Sequence, residues 1–240
     1  MKAAPMSTPQ PPADDDAGAP ADAPIVAPSD RAPRPLRNRV DPEGGLHAVP
    51  ARGGMMGNRG RLHDAGGRVL RRWTTTAWIC CALSFRGRRR APMPPRGYTA
   101  LFFLDEAAAL AAGHRPCFEC RRADALAYAE AFARGAGLRG GRARAAAMDA
   151  ALHAQRLGPR PHVAPAADPA ALPQGAMLLD AGGRALLRVE DGVRPWGWAG
   201  YGAREALPGR AALLTPPASV AALREGWRVM VHPSGDAEAP

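Results

Sequence analysis

Four cysteines fall into two groups, the adjacent Cys80 and Cys81 and the C-x-x-C of Cys117 and Cys120, which Arg115 and Pro116 precede and Arg121 and Arg122 follow. Two thiolates about one turn apart converge while the backbone N–H groups between them point at the sulfurs, the arrangement of a zinc knuckle. A tetrahedral site needs two further ligands. Neighbouring strand residues point to opposite faces, so one zinc takes both Cys80 and Cys81 only where a bulge distorts the strand. Ile79, Cys81, Leu83 and Phe85 form the apolar set of that strand, which makes Cys81 the expected inward thiol and third ligand. The fourth ligand is left to Cys80 through distortion, to His63 from the neighbouring hairpin turn, or to water. The competing chemistry is a redox dithiol at Cys117 and Cys120, with Cys80 and Cys81 as small buried residues. It lacks the thioredoxin-like βαβ context. His114 is expected to pack as a ring, and His47, His153, His162 and His232 stand isolated.

The elements that must hold these thiols can be read from turn and cap residues. A turn at Asp64 to Gly67 precedes an expected strand over 68–73 and a second over 77–85 that carries Cys80 and Cys81. A third strand would hold Arg88, Arg89 and Arg90, and a fourth runs over 98–104. Asp105 is a helix N-cap for 106–112, with Gly113 in the position of a left-handed stop. Further helices are expected from Asp124 to about Arg134 and over 143–157. Three strands over 176–180, 184–189 and 193–198 follow, then a helix started by Thr215 and Pro216 and stopped by Gly226, and a closing strand over 227–232. The fold class is α+β: a small β-sheet with short helices around a cysteine zinc site, plus a second small β-rich unit. Its expected boundaries are a disordered Pro/Ala-rich tail over 1–36, a zinc-binding domain over 37–134, a linker and helix over 135–173, a β-rich domain over 174–233 and a disordered tail over 234–240.

The chain of 240 residues carries a formal charge of +10, which directs attention to nucleic acid as a partner. Lys2 is its one lysine, and the arginines travel with alanine, glycine and proline. Arg71, Arg72, Arg88, Arg89, Arg90, Arg121 and Arg122 surround the expected zinc site, where they would contact phosphates of DNA; a solvated charged face is the plainer reading. No secretion signal or apolar run of membrane-spanning length is visible, so a cytoplasmic chain without a membrane partner is expected.

The stretch Leu101 to Cys120, LFFLDEAAALAAGHRPCFEC, resembles the second half of the Ada-type zinc-binding module: an aromatic strand, a short helix, then Arg-Pro-Cys-x-x-Cys. Thr74 to Cys80 looks like the strand that enters that family's first cysteine pair. The resemblance implies a zinc held by four cysteines, proximity to DNA and, in the repair members, an upstream cysteine that accepts a methyl group from alkylated DNA. Here the upstream cysteines are adjacent instead of three residues apart, and His114 replaces an aromatic residue. Two other readings compete. A zinc-dependent deaminase would share the P-C-x-x-C half of its signature, but the H-x-E or C-x-E half is missing. A purely structural zinc fold would serve protein contacts, with Trp196, Trp198 and Tyr201 as an exposed aromatic platform or, the commoner arrangement, as the core of a small sheet. No catalysis is assigned.

Overall fold

Short strands that pair at long range build the first sheet: β1 (Arg39–Val40), β2 (Leu46–His47), β3 (Met55–Asn58), β4 (Ile79–Cys81), β5 (Leu101–Phe103) and β6 (Arg115–Pro116). Their order is β2-β1-β5-β3-β4-β6, with β3 antiparallel to both β4 and β5. The computed structural model describes residues 34–88, 91–156, 164–165 and 168–236. At the sheet centre Gly57 stands opposite both Cys80 and Leu101. A Cβ there would run into the Phe103 ring and the Ile79 carbonyl, so glycine is what lets that ring lie across the strand.

Asp105 caps α1 (Glu106–Ala111) by accepting from the Ala108 N–H at 2.8 Å, and Gly113, at φ +81°, ends it. Every residue of α1 is buried. Its alanines let the helix approach closely, and it packs on β3, β5 and the second sheet. Two amphipathic helices follow, α2 (Arg122–Gly135) and α3 (Ala145–Arg156).

The second sheet comprises β7 (Ala164–Pro165), β8 (Met177–Leu179), β9 (Ala185–Val189), β10 (Gly192–Gly197), β11 (Gly200–Tyr201) and β12 (Ala212–Leu213), in the order β11-β10-β9-β8-β12-β7 and antiparallel throughout. Two helices complete the description, α4 (Pro217–Arg224) and α5 (Pro233–Asp236). The α+β class expected from the sequence is what is found.

The division at residues 134 and 174 is not. Arg34–Pro240 forms one compact unit, because both apolar cores draw on the two expected domains at once. One core joins Leu110, Tyr128 and Phe132 to Leu178, Leu186, Val220 and Trp227; the other joins Leu101, Phe103 and the α1 alanines to Met177, Leu187 and Leu214. A buried hydrogen bond of 2.9 Å between Tyr128 Oη and Ser219 Oγ ties α2 to α4.

Several expected strands dissolve for identifiable reasons. Over 68–73 only the bridge between His63 and Val69 survives, since the Thr74 and Thr75 N–H groups both turn back to the Arg59 carbonyl. Over 227–232 the N–H groups go to carboxylates instead of a ladder: Met230 donates to Glu106 Oε2 at 3.0 Å and His232 to Asp105 Oδ2 at 2.9 Å. Arg88 lies in a loop, and Arg89 and Arg90 lie outside the described residues. The tail expected over 1–36 lies outside them up to residue 33. Of the tail expected over 234–240, residues 234–236 belong to α5, where Ser234 Oγ accepts from the Tyr201 N–H at 2.8 Å; residues 237–240 lie outside the described residues. The expected aromatic platform is largely interior, with Tyr201 buried and Trp196 packed on the core. Among the described residues no helix is long and apolar enough to cross a membrane.

Candidate metal centre

A parallel pair of strands brings the two cysteine groups together. β6 aligns Arg115 with Ile79 and Pro116 with Cys80, and the Cys117 N–H donates to the Cys80 carbonyl at 2.9 Å. One further step in this register sets Cys117 beside Cys81. The chain then turns sharply: the Arg121 N–H closes on the Cys117 carbonyl at 3.0 Å, and the Glu119 N–H points at Cys117 Sγ from 3.4 Å. This returns Cys120 to the same place just before α2 begins. The ligand atoms of Cys81, Cys117 and Cys120 all lie within 4.8 Å of one another. A tetrahedral zinc with metal–sulfur bonds of about 2.3 Å sets its sulfurs about 3.8 Å apart, so a small inward movement suffices for three-fold ligation.

The electrostatics of the group favour a cation. A hydrogen bond from Cys81, reinforced by the N–H groups of Cys120 and Glu119, brings the Cys117 thiol down to about 5. The same hydrogen bond, with burial, pushes Cys81 up, and burial raises Cys120. A metal ion held by all three sulfurs would displace their remaining protons.

Cys80 stands apart. It lies on the other face of β4, fully buried in the core, with its sulfur 3.7 Å from Arg121 Nη1. The expectation that Cys81 is the inward thiol is therefore inverted, although Cys81 remains the one that meets the C-x-x-C. The apolar set misled because β4 ends at Cys81, leaving Leu83 exposed, and because both faces of the strand are covered. His63 is committed elsewhere: its Nδ1 pairs with Thr99 Oγ1 at 2.6 Å and its Nε2 with the Pro94 carbonyl at 2.9 Å. His114 packs as expected, its ring 4.7 Å from Phe103 and 5.3 Å from Trp78. His47 meets Asp41, His232 meets Ser234 and His153 packs on Trp73, while His162 lies outside the described residues.

Of the arginines expected to face phosphate, Arg71, Arg72 and Arg122 are exposed. Arg88 is exposed but pairs with Glu119 at 2.6 Å, bridging the loop after β4 to the knuckle. Arg121 is a correction: it is buried, bound to Glu106 and to Asp124, and it serves the core. Sequence reasoning missed the interior arginines altogether. Arg115, next to the knuckle, forms a buried two-pronged pair with Asp149 of α3, both contacts at 2.8 Å. Arg59 and Arg156 are buried without such a partner. A groove of about 900 Å³ between β9–β10 and the segment after α4 carries Arg188, Arg194, Arg204 and Arg228, and shares no residue with the thiols.

The geometry defines a class of site, three cysteines able to hold one metal ion at the junction of two parallel strands. Comparison of the chain with protein-family models, with curated proteins and with solved structures returns no match.

Proposed function

We propose that this chain is a zinc-binding protein associated with nucleic acid, in which Cys81, Cys117 and Cys120 hold a mainly structural zinc. The observation that carries the reading is the convergence of three sulfurs, from strands far apart in sequence, on a turn whose N–H groups face them. Thiolates select zinc or iron–sulfur chemistry over hard cations, and a knuckle in a tetrahedral frame is the usual zinc arrangement. Among the described residues no histidine or carboxylate joins the group, so the three thiolates are the ligands this reading assigns. The methyl-acceptor alternative loses Cys80, whose buried thiol is raised well above its ordinary value, by burial first and by Glu106 second. The deaminase alternative lacks the H-x-E or C-x-E half of its signature, since His47 is followed by Ala-Val, His63 by Asp-Ala and Cys80 by Cys-Ala.

Protein purified without added metal or chelator should contain about one zinc per chain. Folded protein with no metal, or with a Cys117–Cys120 disulfide in its place, would remove the reading. Support for nucleic acid comes from the exposed arginines flanking the site, the net charge and the resemblance of Leu101 to Cys120 to the Ada-type module. Affinity for DNA should then fall steeply with salt, each phosphate neutralised contributing roughly 0.7–0.9 to the log–log slope. Replacing Arg71, Arg88 and Arg122 with glutamine should flatten the slope by roughly 2 to 3, at about one phosphate per arginine. If the same change at the exposed Arg139 and Arg210 flattens it as much per arginine, the binding belongs to net charge and not to this surface.

A further inference from the structure

Two guanidiniums share one tryptophan in the interior. The Arg156 carbon Cζ lies 3.9 Å from the Trp78 ring centroid and that of Arg59 lies 4.2 Å from it. Arg59 is 1% exposed and Arg156 2% exposed, and among the described residues neither makes an ion pair. Their hydrogen bonds go to neutral groups: Arg59 Nη1 to the Gly44 carbonyl at 2.9 Å and Nε to His114 Nε2 at 3.2 Å, Arg156 Nη1 to the Gly113 carbonyl at 2.7 Å and Nη2 to the Thr76 carbonyl. Arg59 Nη2 and Arg156 Nε have no partner. Stacking on an aromatic face offsets only part of the cost of burying a cation, and a buried charge is ordinarily paired. Burial holds both guanidiniums down to about 9, and at Arg59 the charges of Arg156 and Arg72 add to it. His114 supplies no negative charge. Burial, Arg59 and Arg156 hold it well below its ordinary value, so it is neutral.

Beside this pair a narrow cleft leads to the surface, lined by Glu43, Gly44, Arg72, Trp78, Ala111, Ala112 and Arg156. Arg72 and Glu43 are exposed at its mouth. We propose that the cleft is a binding site for a phosphate-class oxyanion, with Arg156 in its buried wall, Arg59 reinforcing it from behind Gly44 and Trp78, and Arg72 as its outer arm. The enclosed part measures only about 10 Å³, room for a single water-sized atom, so the anion enters by one oxygen and keeps the others at the mouth beside Arg72. Gly44 forms part of the wall at φ +85°, where a side chain would be strained and would approach Arg59 Nη2. The lining carries two guanidiniums, Arg72 and Arg156, against the one carboxylate of Glu43; Arg59 stands beside them on the Trp78 ring, and Asp41 and Asp149 act on the pair from outside the lining. This inference is independent of the metal reading, since no lining residue belongs to the thiol group.

The test is thermal unfolding of the full chain in inorganic phosphate against chloride at matched ionic strength. Phosphate at about a hundredfold excess over its Kd should raise Tm by about 5 °C or more. Arg72→Gln, at an exposed position, should cut phosphate affinity about tenfold, and Glu43→Gln should tighten it. Thymidine 5′-monophosphate and unphosphorylated thymidine separate the sources: equal response to phosphate and the monoester assigns a free anion, and stronger response to the monoester assigns a phosphate carried on a nucleotide. No phosphate-specific shift overturns the proposal, as does a shift that Arg72→Gln leaves unchanged. So does a Glu43→Gln protein that loses stability in chloride and stays blind to phosphate, since Glu43 would then be the counter-ion of a purely structural cluster.

Discussion

Asp149→Ala should destabilise the protein by about 3–5 kcal/mol, the range for removing one partner of a buried ion pair. The reason is the Arg115 guanidinium left behind. It holds Asp149 through two parallel contacts of 2.8 Å, the pair is at most 10% exposed, and its remaining hydrogen bond goes only to the Pro116 carbonyl. Removing the carboxylate leaves a buried cation without its counter-charge. The damage is local to function as well, because Arg115 and Pro116 are the strand that delivers Cys117 to Cys81. Replacing both partners, Arg115→Met with Asp149→Leu, should recover much of the loss, since two apolar side chains incur no desolvation cost. Urea unfolding of the two single variants and the double variant measures this through the midpoints at constant slope. A single-variant cost below about 1 kcal/mol, or a double variant whose loss is the sum of the two, would show that the pair is not held as described.

Cys117→Ser should lower Tm by about 10 °C and release the metal, whereas Cys80→Ala should leave the metal in place. On the proposed reading Cys117 is the centre of the group: it accepts hydrogen bonds from the turn, and its backbone ties the knuckle to β4. With serine there, two thiolates remain, too few to hold zinc against water. Apparent binding energies of about 10–16 kcal/mol in isolated zinc-finger peptides are a ceiling, since this unit also has two apolar cores of its own. A loss of about 2–5 kcal/mol is the proportionate expectation, and it corresponds to a Tm change of that order. Cys80 contributes packing and a weak hydrogen bond from Arg121 at 3.7 Å, and its truncation should cost about 1 kcal/mol without altering metal content. Metal analysis and melting of the two variants side by side decide the matter. Zinc lost from Cys80→Ala and kept in Cys117→Ser would reverse the assignment of faces on β4.

What could be read from the sequence was local. The Asp105 cap and Gly113 stop of α1, the Thr215-Pro216 start of α4, whose N-cap is Pro216, with Gly226 after it, and the hairpins of β8 to β10 all announce themselves within a few residues, and all are found. The C-x-x-C turn belongs to the same class. β1, β2 and β3 went unread because strands of two to four residues carry no periodicity, and β3 places Gly57 and Asn58 where strand propensity is poor. The sides on which Cys80 and Cys81 fall depend on what covers each face of β4, which is a property of distant segments. Arg121 reads as a surface charge beside Arg122, yet Glu106 meets it from another element. Charge in a sequence does not say where its partner stands.

The carboxylates at the head of α1 set a clock for the molecule. Asp105 waits for the Tyr201 hydroxyl and for the backbone of His232, 127 residues later in the chain, and Glu106 waits for Met230. At about 5–20 residues per second of translation, that wait is about 6–25 s. Late in that interval the nascent chain has its helix cap without these lasting partners, and Cys117 and Cys120, made more than 100 residues before His232, leave the ribosome ahead of them. Cys117 and Cys120, close in sequence, can capture a metal ion early, ahead of the core that will enclose them. The timetable of synthesis thus exposes these sulfurs to oxidant and to competing metals for longer than the finished fold ever does.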